Sequence, residues 1–196
     1  MNMRQIENID YFLSVYPKYF KGLQKGRGVI IDFCSETKNI KELIALLKGD
    51  HFARVSQLMD VVAIDKIDEI NNRFQLCYNL LDNSRYLRYV IRITVPLRAF
   101  AVSVSGIFPS ANWLERECWD LMGIPFLDHP DLRRILTNYG FEGHPLRKDF
   151  PVVGYVQVRY DDELKTVVEE PVGLTQEYRY FDFLSPWQHN DNINIK

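Results

Sequence analysis

The chain has 196 residues, 46% hydrophobic and 26% charged, with a formal net charge of −2. That balance describes one globular domain, or one domain with an extension, and gives no argument for broad electrostatic capture of nucleic acid. No run approaches the roughly 18 consecutive apolar residues of a membrane-spanning helix.

The first residues, MNMRQIENIDYF, contain charges and no following apolar core, so a signal peptide is not expected. Glu7 and Asp10 fall where transit peptides avoid acids, and the chain is expected to begin as its mature form. Within residues 3–16, Ile6, Ile9, Leu13 and Tyr16 recur at near-helical spacing until Pro17. Val29 to Phe33 reads as a short strand. A helix follows, with Asn39 as cap, Glu42 three residues on, Ile40, Leu43, Ile44 and Leu47 on one face, and Gly49 as stop.

Leu58 to Ile64 reads as a buried strand. Phe74, Leu76, Tyr78 and Leu80 alternate with more polar residues, Asp82-Asn83-Ser84 supplies a turn, and Leu87, Tyr89, Ile91, Ile93 and Val95 alternate on the return. Phe100, Val102 and Val104 suggest one more strand. The expected class is α+β, with helices packed on a mainly antiparallel or mixed sheet, followed by an extended C-terminal arm with little regular structure.

The expected organisation is an α+β domain over 1–108, a helix and charged segment over 109–151, an arm with a small hairpin over 152–187, and a frayed polar tail over 188–196. The segment's helix runs from Asn112 to Met122, with Asn112 and Glu115 as capping pair and Gly123 as stop. Leu114, Cys118 and Leu121 form its inward stripe, Arg116 pairs with Asp120, and Glu115 and Glu117 are free for partners. The hairpin pairs Tyr155–Tyr160 with Lys165–Glu169 around Asp161-Asp162. The arm is rich in aromatics but has few internal apolar partners, which suggests that it folds against another protein.

Residues 115–149 concentrate charge and histidine. His129 and His144 with nearby acids could ligate a metal or supply a general base in a stand-alone metallohydrolase. Fifteen residues separate them, neither sits in a paired-ligand motif, and each precedes a proline. Cys34, Cys77 and Cys118 are scattered, with no C-x-x-C pair, and read as small buried hydrophobes. A charge-rich interface or structural network is the better reading, because arginine forks bind carboxylates bidentately. Its expected members are Glu115, Arg116, Glu117, Asp120, His129, Arg133, Arg134, His144, Arg147, Lys148 and Asp149. Tyr178, Tyr180, Phe181, Phe183 and Trp187 are the expected arm anchors.

The run ANWLERECWDLMGIPFLDHPDLRRILTNYGFEGHPLRKDFPVVGY resembles the signature of the 30 kDa subunit of respiratory complex I. The pattern's places are filled by Glu115-Arg116-Glu117, Asp120, Leu121-Met122, His129, Arg133 and Ile135-Leu136. Gly143 to Pro151, Val158-Arg159-Tyr160, Glu170-Pro171, Gln176 to Arg179 and Ser185-Pro186-Trp187 extend the likeness, which is strong over about 102–187 and loose before that. Cys118, Met122 and Asn138 are mild departures.

The resemblance implies a peripheral-arm subunit with no cofactor of its own. FMN and iron–sulfur clusters are expected on partner subunits. The implied α+β domain continues into a C-terminal segment that wraps along the larger hydrogenase-like subunit at the quinone site. The complex would carry electrons from NADH to ubiquinone with proton translocation. Equivalent subunits of a chloroplast-type quinone oxidoreductase or a membrane-bound hydrogenase are the alternatives. The many Ile, Asn, Tyr, Phe and Lys residues lean toward an organelle-encoded chain on the matrix side of the mitochondrial inner membrane. The cytoplasmic face of a bacterial membrane is the alternative.

Overall fold

The computed structural model describes residues 11, 14–19, 22–25, 30–35, 39–176, 179 and 181, with backbone only for 22–25, 30–35 and 70. Most of the expected helix over 3–16 lies outside them, although Tyr11, Ser14 and Val15 are helical.

Period-two alternation builds the sheet. Its strands are β1 (Gly22–Lys25), β2 (Ile30–Ser35), β3 (Gln57–Asp65), β4 (Phe74–Asp82) and β5 (Leu87–Val95), in the order β1-β2-β5-β4-β3. Only β2 and β5 run parallel, so the sheet is mixed. The alternating residues of β4 and β5 all turn to one buried face, from Phe74 to Leu80 and from Leu87 to Val95. Asp82 makes their connection, its Oδ1 accepting from the Ser84 amide at 2.9 Å and hydroxyl at 2.6 Å.

Helix α1 (Ile40–Gly49) contributes Ile40, Leu43, Ile44 and Leu47, all 0% exposed, to the same core. Its ends differ from the sequence reading. Asn39 occupies the N-cap position in a helical conformation, and its side chain makes no capping bond. Gly49 remains within the helix, and the chain turns extended at Asp50. That carboxylate takes over the stop: Oδ1 accepts from the Phe52 and Ala53 amides, and Oδ2 from the Tyr11 and Tyr16 hydroxyls.

β3 corrects the expectation of a buried strand, because only one of its faces is covered. Leu58, Val61 and Asp65 are buried, whereas Met59, Val62 and Ile64 are 40–45% exposed. β3 is an edge strand with one open face, and its register with β4 shifts between Leu58 and Asp60. Helix α2 (Ala111–Met122) packs against it. The Cys118 thiol donates to the Val61 carbonyl at 3.5 Å, and the Ala63 amide bonds back to the sulfur. Burial there pushes the thiol up to about 12. Ser110, not Asn112, occupies the N-cap position of α2, again without a side-chain cap, and its hydroxyl reaches the Leu58 carbonyl at 3.5 Å. Gly123 ends α2 in the left-handed region at φ 72°, as its position in the sequence predicts.

The strand expected around Phe100 shrinks to β6 (Ala101–Val102), parallel to β7 (Phe126–Leu127). Ala101 and Val104 are buried and Phe100 is 54% exposed, so the predicted face does not hold. The chain turns at Val104, whose carbonyl accepts from Ile107 and Phe108, before alternation can continue. The compact units divide between Val152 and Val153. The second unit holds a hairpin of β8 (Val156–Asp161) and β9 (Thr166–Pro171).

Tyr78 is fully buried and its hydroxyl bonds to no described residue. Tyr78→Phe therefore keeps the ring and removes an unsatisfied group, and the full chain should keep or gain stability by up to about 1 kcal/mol. Ile91→Ala, on the same core face, should cost about 2–5 kcal/mol. Chemical denaturation measures both, and a loss above about 1 kcal/mol in Tyr78→Phe would show the hydroxyl bonded after all.

Candidate functional site

The inward side of α2 carries ionisable groups where a core helix normally carries apolar ones. Glu115 and Asp120 are 0% exposed and Arg116 is 9% exposed. Ala111 and Cys118 are buried with them, while Leu114 and Met122 pack at the margin of the core. Buried charges persist only when hydrogen-bonded partners replace water, and each of the three has its own set.

Glu115 binds the segment after β6. Its Oε2 accepts from the Ser103 hydroxyl at 2.6 Å and its Oε1 from the Val104 amide at 2.7 Å. Burial raises its pKa despite those bonds. The sequence reading of Glu115 as a capping partner, free for contacts, is therefore corrected: the side chain points into the protein. Arg116 does not pair with Asp120 as expected. Its Nε and Nη2 donate to the Arg133 and Arg134 carbonyls at 2.9 and 3.3 Å, and its guanidinium lies 5.2 Å from the Trp113 ring.

Asp120 binds the stretch that follows. Oδ2 accepts from the amides of Ile135, Leu136 and Thr137 at 3.1, 2.7 and 3.0 Å. Oδ1 accepts from the Thr137 hydroxyl at 2.7 Å and from Arg134 at 3.4 Å. Burial raises the Asp120 pKa, but these bonds outweigh it and hold the carboxyl below its usual value. Residues 133–137 have no regular structure of their own. The carboxylate acts as their template.

The C-terminal end of α2 is held by the next segment. His144 Nδ1 donates to the Asp120 carbonyl at 2.9 Å, Arg147 Nε to the Met122 carbonyl at 2.6 Å, and the Leu146 amide to the Leu121 carbonyl at 3.1 Å. These satisfy carbonyls that a helix end leaves open. Gly123 makes the approach possible: a Cβ there would collide with the Arg147 guanidinium and lie 2.5 Å from the His144 ring.

A second cluster joins the sheet to the same segment. Asp65 and Arg73 form a bidentate pair at 2.8 and 2.9 Å. Arg73 also reaches Asp149 at 2.9 Å, and the Lys148 amide donates to Asp65 at 2.9 Å. Hydrogen bonding from Arg73 is the largest cause lowering both carboxyls. Arg73 and Arg147 both lie within 5.4 Å of the Phe74 ring centre.

Sequence reasoning missed Asp65, Arg73, Ser103 and Thr137. Asp65 and Arg73 meet only because Asp65 ends β3 and Arg73 immediately precedes β4, and no local motif marks them. Of the expected members, Glu117 and the Lys148 side chain are exposed, and Arg133 pairs with Asp131 at the surface. Among the expected anchors, Phe181 is 62% exposed, while Tyr178, Tyr180, Phe183 and Trp187 lie outside the described residues, as does the tail over 188–196.

The two histidines, weighed as metal ligands and expected as network members, are engaged in hydrogen bonds to backbone. The His129 side chain is 0% exposed; its Nδ1 accepts from the Asp131 amide, which leaves Nε2–H to donate to the Asn112 carbonyl at 3.2 Å. Among the described residues, no three His, Cys, Asp or Glu side chains group as a metal site. An open cleft of about 370 Å³ borders this region, lined by Lys41, Ser103, Ser105, Asn112 and Asp128. Lys41 and Asp128 pair at 3.4 Å, both exposed. The geometry joins α2 to backbone segments on both sides of it.

The family model for the respiratory-chain NADH dehydrogenase 30 kDa subunit matches residues 33–156. NADH dehydrogenase (ubiquinone) iron-sulfur protein 3 of Oryza sativa subsp. japonica is 51% identical over 164 residues, covering 82% of this chain and 84% of the relative. An NADH-quinone oxidoreductase subunit of Paramagnetospirillum magneticum is 45% identical over 179 residues, covering 91% and 89%. NADH-ubiquinone oxidoreductase subunit 9 of Acanthamoeba castellanii is 44% identical over 189 residues, covering 94% of each. Among solved structures, a trypsin-resistant fragment of Nqo5 shares the fold at TM-score 0.53 and 26% identity, covering 66% of this chain and all of that one. A chain of an archaeal membrane-bound sulfane sulfur reductase, at TM-score 0.66 and 19% identity, covers 76% and 87% and shares the fold alone.

The network predicts a direction for stability with pH. Burial holds His144 below the ordinary histidine value of 6.5, so the unfolded chain binds protons that folded His144 resists. Stability should therefore fall as pH drops below about 6.5. Asp65, Asp120 and Asp149 have lowered values, so their contribution is present above the ordinary aspartate range and is lost as pH falls further. His144→Asn keeps a donor for the Asp120 carbonyl and removes the titration. Urea midpoints should fall less between pH 7 and 5 in that variant than in the parent; equal slopes would contradict the assignment.

Proposed function

Because the chain belongs to the 30 kDa subunit family of respiratory-chain NADH dehydrogenase, we propose that it serves as a structural and assembly subunit of the peripheral arm. Its family membership makes it a subunit of the NADH:quinone oxidoreductase enzyme complex. The observation that carries the structural role is how the signature residues are used. Glu115, Arg116 and Asp120 are bound to backbone groups of residues 104 and 133–137. The signature is read as a clasp that shapes a surface for other subunits.

In this reading the chain carries no redox centre, and flavin and iron–sulfur clusters belong to partner subunits. "Iron-sulfur protein" in a relative's name describes that relative. Support comes from Cys118, whose buried thiol is bonded to β3 and resists forming the thiolate that a cluster requires. Electron flow from NADH to ubiquinone, coupled to proton translocation, would run through those partners.

The partner proposed for the C-terminal unit is the larger hydrogenase-like subunit at the quinone site, supported by the exposed apolar residues over 153–174. The location proposed is the matrix side of the mitochondrial inner membrane, supported by the eukaryotic relatives and the organelle-like residue usage. Among the described residues, no helix is long and apolar enough to cross a membrane.

Arg147→Ala removes the side chain that closes the end of α2 without touching a reacting group. Blue-native electrophoresis with mass spectrometry should show several-fold less assembled complex, with near-normal NADH:quinone turnover per assembled complex. Full assembly with lost turnover would instead assign a direct catalytic role.

A further inference from the structure

The β8–β9 pair sorts its side chains onto two unlike faces. Val156, Val158 and Tyr160 stand opposite Pro171, Glu169 and Val167 on one of them. The other carries Arg159, which bonds Glu170 at 2.7 Å and Asp161 at 3.3 Å. The polar face is thus internally satisfied. On the apolar face, Val156, Val158, Tyr160 and Val167 are 54–63% exposed.

An isolated two-stranded hairpin is marginal in water, and a contiguous exposed apolar patch marks a contact surface. Charge selects the occupant. The hairpin and its turn hold five acids, Asp161, Asp162, Glu163, Glu169 and Glu170, against Arg159 and Lys165. A second copy would bring the same acidic rim, and an anionic lipid surface would repel it. Glu169 lies within the apolar face, opposite Val158, and forms no ion pair with a described residue. Covering that face would bury its charge, which requires a cation from the covering partner.

We infer that the apolar face of the β8–β9 hairpin docks onto another subunit of the complex, at an apolar patch rimmed by lysine or arginine that supplies a cation to Glu169. The inference rests on the proposed assembly role and adds to it which face is buried and what chemistry covers it.

The test uses the full chain in the intact complex, with the photoreactive residue p-benzoylphenylalanine placed at position 158 or, on the opposite face, at position 166. Position 158 should cross-link to a different subunit, in a peptide containing lysine or arginine, and position 166 should not. Glu169→Lys should lower incorporation into the complex by about tenfold, and Glu169→Gln by less. Cross-links from position 158 to this chain or a second copy of it, none at all, or equal cross-links from both positions would overturn the proposal. So would wild-type incorporation of Glu169→Lys. Absence of the unsubstituted chain from the complex would overturn the assembly role itself, which keeps the two failures distinguishable.

Discussion

The arrangement depends on one constraint: the Asp120 carboxylate, with no exposed surface, must find donors, and residues 135–137 provide them. Three consecutive amides converge on one oxygen while the Thr137 hydroxyl takes the other. Charge-assisted bonds of this kind are roughly twice as strong as neutral ones. They fix a stretch of chain that offers neither helical nor strand pairing. Arg116 holds two carbonyls of the same stretch, those of Arg133 and Arg134. α2 therefore binds its neighbour through both signs of charge, each matched to backbone groups of the opposite polarity.

That clasp works because α2 is itself fixed. Cys118 bonds the helix to β3, an edge strand whose unpaired groups would otherwise invite another chain. Gly123 lets His144 and Arg147 reach the helix end, and the Asp65–Arg73–Asp149 chain ties the far side of the segment to the sheet. Apolar burial between the sheet and α1 supplies the platform, and polar bonds set the path of the chain across it. Much of the signature's charge is thus spent inside the unit, while exposed apolar residues such as Trp113, Leu136 and Tyr139 remain at its surface.

The platform was readable from the chain because periodicity reports burial directly. β4, β5 and the apolar face of α1 lie where alternation and helical spacing put them. Helix ends were less readable: Asn39 and Ser110 hold cap positions without capping bonds, and Asp50 performs the stop assigned to Gly49. The signature segment was recognisable as a network, but its wiring was not. Glu115 reads as a surface acid until Ser103 and Val104 are brought over it. An i,i+4 Arg–Asp pair reads as a salt bridge until loop backbone competes for both side chains. These contacts span 11 to 18 residues, beyond any local pattern.

Amide hydrogen exchange at residues 135–137 tests the clasp most directly. In the unsubstituted chain these amides should exchange slowly although they belong to no helix or strand. In Asp120→Ala they should exchange fast together, while β4 and β5 stay protected. Fast exchange in the unsubstituted chain, or unchanged protection in the variant, would contradict the account.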